Sequence, residues 1–159
     1  MQINIRPATK KDMPEVFLLI KELAAFEKEP DAVIITTEDL VRDGFGENKL
    51  FTCFVAELDG NIEAMALFYF RYSTWKGKTV HLEDLMVRRE HRKKGLGIAL
   101  YKKVMQYAID NGVKRVEWVV LDWNTGAIDF YKKTGAKVHT NWNTVQFEEK
   151  AIKQFLNQN

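Results

Sequence analysis

The sequence predicts a mixed α/β fold, a central and mostly antiparallel sheet flanked by helices. Three observations carry that expectation. Strand-like runs at 50–58, 63–72 and 79–87 follow one another with only turn signals between them, which reads as an antiparallel meander. Stretches with apolar residues at helical spacing precede the meander and follow it. No repeat, low-complexity tract or Pro/Gly/Ser linker interrupts the chain, so residues 1–159 read as a single domain.

In chain order, INIRPA (3–8) is a short strand stopped by Pro7, and Thr9 with Asp12 is a capping-type helix start. Val16, Leu19, Ile20 and Leu23 then recur on one helix face. A second, short helix begins around Thr37 and is expected to end at Gly44. The Asp59-Gly60 pair joins the first two central strands as a hairpin, and WKGK (75–78) turns the chain into the third. Leu96, Leu100, Val104 and Ala108 mark a helix that Asn111-Gly112 stops. KRVEWVVL (114–121) is a further strand, and Asn124 caps a helix carrying Ala127, Phe130 and Tyr131, ended by Gly135. AKVHTNWNTVQFEE is expected to hold two short strands before a C-terminal helix.

Composition narrows the function classes. At 46% hydrophobic and 29% charged the chain is of globular type, and at 159 residues it buries roughly 68–70% of its unfolded surface. A net charge of +2 gives no global case for nucleic acid or membrane as partner. The amino terminus lacks the apolar run of a signal peptide, and no apolar span approaches the roughly 18 residues of a membrane helix. Cys53 is the one cysteine, which excludes an intrachain disulfide and fits a reducing cytoplasm. Its place in an alternating strand reads as core rather than nucleophile. His81, His91 and His139 are scattered without HExxH or CxxC, so no metal site is expected.

VRREHRKKGLGIALYKKV (87–104) is the informative stretch, with five Lys/Arg among residues 88–94 and then glycines and aliphatics. Gly95 and Gly97 let the backbone turn tightly and expose N–H groups at the positive end of a helix dipole. Arg92, Lys93 and Lys94 add full charges beside the same point. Cations there oppose the dipole unless an anion arrives, so an anion site suited to a pyrophosphate is favoured over a solvated basic face. The P-loop pattern is absent. GxGxxG starts at Gly95 and Gly97, with Glu117 as a possible ribose ligand, but meets Leu100 at its third glycine and follows too long a loop. The better fit is R-x-x-G-x-G, Arg92 to Gly97, after a strand.

With that motif the sequence resembles the GNAT N-acetyltransferase superfamily, and the likeness extends over essentially the whole chain to its diamine (spermidine/spermine) branch. IRPAT (5–9), LIKELAAFE (19–27), EDLVRDGFGE (38–47), HLED (81–84) and DFYKKTGA (129–136) all look like that branch. YSTWKGKT (72–79) and VLDWN (120–124) look most like its thialysine N-acetyltransferase members. The resemblance implies the GNAT acyl-CoA N-acyltransferase fold, acetyl-CoA as cosubstrate, and a homodimer with pockets near the subunit interface.

An amine attacks a thioester only when neutral, whereas an alkylammonium is protonated at neutral pH. The site therefore needs a route for that proton, stabilisation of the oxyanion, and a proton for the leaving thiolate. Glu83 is the candidate base. Strand alternation sends Asp84 to the opposite face, unless a bulge re-aims it toward a cationic substrate; alone, the pair reads equally as a solvated strand end. The resemblance implies that the backbone of Leu85, Met86 and Val87 meets the pantetheine arm, with the Leu85 N–H helping to hold the oxyanion. It implies likewise that Arg92, Lys93, Lys94, Gly95, Leu96, Gly97 and Ile98 wrap the pyrophosphate. By the same resemblance Asn124, Thr125, Gly126 and Ala127 begin the helix on the cofactor's other side and Tyr131 takes the general-acid position; from helical spacing alone, Tyr131 reads rather as a half-buried core tyrosine. Phe26, Glu27, Glu117, Trp118 and Val119 match substrate-contacting positions; alone, Glu27 reads equally as a helix-end residue, and Trp118 as core.

Two departures from the polyamine enzymes matter. Ser73-Thr74-Trp75 lacks an acidic residue found there, and Asn143 stands where they carry a glutamate. Fewer carboxylates favour a shorter amine bearing its own carboxylate, such as thialysine or a lysine-like amino acid. Acetylation of a protein or drug amine, and a non-catalytic module binding CoA or nucleic acid, are the alternatives. The second lacks the interleaved aromatics of a strand-binding surface.

Overall fold

A computed structural model describes residues 1–158. They form two compact units, the first Met1–Val119 and the second from Val120 onward. The first holds β1 (Ile3–Pro7), α1 (Met13–Phe26, entered through a 3-10 turn at Lys10–Asp12), α2 (Thr37–Phe45), β2 (Thr52–Leu58), β3 (Asn61–Ser73), β4 (Gly77–Val87), α3 (Leu96–Asp110) and β5 (Val116–Glu117). The strands make one sheet in the order β1-β2-β3-β4-β5, antiparallel except for the β4–β5 pair.

The alternation visible in the sequence sorts the core into two layers. Phe54, Ala56, Phe68, Val80 and Leu82 face one way and pack on Leu96, Leu100, Val104 and Ala108 of α3. Cys53, Val55, Met65, Leu67 and Met86 face the other way, onto Met13, Val16 and Leu19 of α1 and Leu40 of α2. Burying each such aliphatic contributes about 1.5–3 kcal/mol, so both helix layers are held to the sheet mainly by apolar contact. Burial pushes the Cys53 thiol up to about 12, in keeping with a core position and not a nucleophile.

The helix starts form as their sequence signals require. The Thr9 N–H donates to Asp12 Oδ2 at 2.7 Å, and Arg6 holds that carboxylate from β1 at 2.7 Å. Asp59 and Gly60 both have positive φ, 50° and 88°, as a tight hairpin turn demands. The expected stop at Gly44 is corrected: α2 runs on to Phe45, with Gly46 as its C-cap. Gly44 is needed for space instead, since a Cβ there would lie 2.5 Å from the Phe51 ring.

Two strand expectations are also corrected. The strand drawn at 114–121 pairs with β4 only at Val116 and Glu117. The two strands expected between 136 and 149 do not form; the second unit consists of α4 (Thr125–Lys133), an irregular stretch, and α5 (Glu149–Leu156). Its apolar residues are spaced as in a strand, but among the described residues no neighbouring strand pairs with them, and a lone strand leaves its backbone groups unsatisfied. Trp142, Val145 and Phe147 are exposed there.

Candidate active site

β4 is where the chemistry-bearing residues collect, and an irregularity in its pairing decides how. Leu67 pairs with Asp84 and Phe68 with Leu82, which leaves Glu83 as an extra residue, a β-bulge. Val80 and Leu82 before the bulge, and Leu85 and Val87 after it, all face α3. His81, Glu83, Asp84 and Met86 are thereby gathered on the α1 side. The opposite-face expectation for Asp84 is corrected for this reason: one inserted residue shifts the alternation by one, and both carboxylates share a face.

Glu27, immediately after α1, joins them. Burial first, then the charges of Glu83 and Glu27, push the Asp84 carboxyl up to about 7. Burial and then the Glu83 charge raise Glu27 as well. Three carboxylates that repel one another form a place where a cation is stabilised, and a bound ammonium relieves the repulsion. Two residues to which the sequence assigned no role complete the face. Tyr69, opposite His81 in the β3–β4 register, donates its hydroxyl to Glu83 Oε2 at 2.9 Å, and His81 Nε2 lies 3.5 Å from the same oxygen.

The raised Asp84 value makes a stability prediction. Folded Asp84 keeps its proton up to about 7, whereas an unfolded aspartate releases it near pH ~3.9. The folded state binds more protons between those values, so the stability present below the unfolded value is lost as pH rises through the folded one. Asp84→Asn is expected to raise the melting temperature relative to the parent at pH 8 by roughly 2–4 °C, with the gain vanishing near pH ~4. Melting curves across pH check it.

The segment 117–119 is dispersed. Glu117, across from His81, is held by Arg71 at 2.8 Å and by Arg115 at 3.7 Å. Trp118 packs on the α3-side core with its ring edge-on to Tyr101 at 5.7 Å, and Val119 is exposed. Only Glu117 of the three thus stands beside the carboxylate face. Phe26 lies under the Arg92 guanidinium at 4.9 Å, joining the end of α1 to the basic loop.

Past the bulge β4 has β3 on one side and, beyond His81, no β5 partner on the other. Backbone groups of Leu85, Met86 and Val87 turned from β3 therefore lie along an edge that no strand pairs among the described residues, with the Val87 carbonyl met by Arg92 Nε. Their side chains are committed to the two cores, so only main chain is presented there.

After Val87 the chain is anchored before it turns. Arg88 meets Glu15 of α1 at 2.7 Å and Glu63 of β3 at 2.8 Å, and the Arg89 N–H donates to Glu22 at 3.2 Å. Lys93 and Gly95 both take positive φ, 64° and 92°, which turns successive N–H groups inward as in an anion nest. No side chain caps α3 and its first turn holds no acid, so the free N–H groups of Leu96, Gly97 and Ile98 keep their full pull on an anion. Gly97 brings the helix close to β4: a Cβ there would lie 3.4 Å from Val87. These features fit a diphosphate. The cations stand less uniformly than expected, since Arg92 Nε turns back to donate to the Val87 carbonyl at 3.3 Å and Lys94 meets His91 at 3.1 Å.

In the second unit Asn124 caps α4 as its residue type predicts, accepting from the Ala127 N–H at 3.3 Å. Thr125, Gly126 and Ala127 form the first turn, and Tyr131 sits one turn on with its ring 5.6 Å from Phe130. Among the described residues no cluster of His, Cys, Asp and Glu is arranged to hold a metal ion, and no helix is long and apolar enough to cross a membrane.

A bulged strand carrying acids, an open main-chain edge and a glycine turn before a helix thus follow one another along residues 83–98. The chain belongs to the acetyltransferase (GNAT) family, which it matches over residues 15–136, and is an N-acetyltransferase. It is 40% identical to the thialysine N-epsilon-acetyltransferase of Sus scrofa, over 96% of each chain. It is 39% identical to the enzyme of the same name from Caenorhabditis elegans, over 98% of each. Among solved structures, an integron cassette protein from the mobile metagenome of V. cholerae shares the fold with a TM-score of 0.80 at 22% identity, covering 99% of each chain.

Proposed function

We propose that this enzyme moves the acetyl group of acetyl-CoA to a primary amine of a small cationic substrate, a thialysine-like amino acid or a short diamine or polyamine, by direct attack in a ternary complex. The bulge at Glu83 carries the reading, because it sets Glu27, Glu83 and Asp84 on one face at the strand that leads into the anion loop. Carboxylates in that number suit an ammonium and repel an anionic acceptor. The names of the relatives over nearly the full chain support the same substrate class.

In this proposal Glu83 takes the ammonium proton, directly or through a water, while Asp84 and Glu27 attract and hold the cation. Bound acetyl-CoA supplies the activated acetyl group. The open edge at Leu85, Met86 and Val87 pairs with the pantetheine arm, and the Leu85 N–H faces the developing oxyanion. Residues 92–98 hold the diphosphate, Asn124 to Ala127 border the cofactor, and the Tyr131 hydroxyl protonates the leaving sulfur. Ser73 Oγ accepts from the Trp75 and Lys76 N–H groups at 3.2 Å, so it completes a turn where an acid would draw a second ammonium. That favours the shorter substrate with its own carboxylate. One domain over both units fits the family match, which crosses from one unit into the other. A cytoplasmic homodimer is the corresponding proposal for location and assembly.

Thiol release from acetyl-CoA with thialysine, spermidine and lysine as acceptors tests the reading. Thialysine is expected to give the highest kcat/KM. Release with none of the three, under conditions where CoA binds, would remove the small-amine assignment.

A further inference from the structure

Among the described residues, Glu83 Oε2 is engaged and Oε1 is not. The Tyr69 hydroxyl donates to Oε2 at 2.9 Å, and His81 Nε2 approaches it at 3.5 Å, long for a hydrogen bond. The two rings lie tilted against each other with centroids 5.3 Å apart, so each limits the other's motion. His81 Nδ1 is buried without a hydrogen-bond partner among the described residues. A buried N–H without an acceptor costs more than a buried lone pair, so the neutral ring carries its proton on Nε2, toward Glu83. Tyr69 is therefore the hydrogen-bond donor to this oxygen, and His81 stands next to it with its Nε2 turned the same way.

We propose that Tyr69, seconded by His81, is a positioning residue for Glu83: the Tyr69 hydroxyl holds Oε2, the His81 ring confines Tyr69, and Oε1 is left turned toward the acceptor amine. The proposal rests on Glu83 being the base. The groups facing Glu83 are Asp84 and His81 on its own strand, Tyr69 and Arg71 on β3, Glu117 on β5 with Arg71 and Arg115 upon it, and Glu27 after α1. Among these groups the Tyr69 hydroxyl is the one that hydrogen-bonds to Glu83. Burial and the bond to Glu83 push the Tyr69 hydroxyl up to about 12, so it stays protonated and donates throughout the working range.

Tyr69→Phe removes the donor and retains the ring. A carboxylate that loses a hydrogen bond to its charged form is protonated more easily, so the acid limb of kcat/KM for the amine is expected to move up by about one pH unit. CoA affinity should stay unchanged. In a Glu83→Gln background the same substitution should change the rate less than about twofold, because a residue acting through Glu83 has nothing left to position. An unmoved acid limb, or losses that multiply in the double variant, would overturn the positioning role. If Glu83→Gln itself leaves the rate intact, the assignment of the base fails instead, and this proposal with it.

Discussion

Glu83→Gln is expected to lower kcat/KM for amine acetylation by about 10²–10⁴-fold, the range a positioned general base contributes. The amide keeps the size of the carboxylate and still offers an oxygen to the Tyr69 hydroxyl, so the bulge should persist. What it loses is the capacity to take the ammonium proton, and with it one of three carboxyl groups on that face. The loss should fall mainly on kcat, with CoA binding by calorimetry unchanged, since Glu83 precedes the edge and loop proposed for the cofactor. Raising the pH should recover part of the rate, because more of the amine is then neutral without help. Parent-like rates with a parent-like pH profile would show that the proton leaves by another route.

Gly95→Ala is the second large effect expected. Gly95 stands at φ 92°, ψ −6°, and a Cβ there meets nothing closer than Ile3 Cδ1 at 3.8 Å. Crowding is therefore not the difficulty; the left-handed backbone is, at about 1–2 kcal/mol for a residue with a side chain. If the turn must hold that conformation to keep its N–H groups converged, acetyl-CoA affinity should fall by about 5–30-fold. Turnover at saturating cofactor should change little. Calorimetric titration with CoA reads the affinity, and circular dichroism checks that the fold survives.

How legible all this was in the sequence depended on how local each signal is. The helix starts at Thr9 and around Thr37, the Asp59-Gly60 hairpin, the Asn124 cap and the glycine turn are decided by a few neighbouring residues, and each formed as its chemistry requires. The strands at 136–149 failed because a strand needs a partner elsewhere, which no local pattern supplies. The bulge left a trace: Val80 and Leu82 keep one parity, whereas Leu85 and Val87 keep the other. Met86 is apolar too and hides the shift, so alternation placed Asp84 on the wrong face. Tyr69 carried no motif, and His81 stood in HLED without a role of its own. Their meaning came only from the β3–β4 register that sets them opposite each other beside Glu83.

Backbone amide resonances of isotope-labelled protein, followed during titration with CoA and separately with pantetheine, test the anion loop most directly. The expected result is that CoA moves the amides of Lys93 to Ile98 strongly, whereas pantetheine, which lacks the diphosphate, perturbs Leu85 to Val87 and leaves the loop in place. Saturation with CoA while the 93–98 amides stay unmoved would contradict a diphosphate seat at this turn.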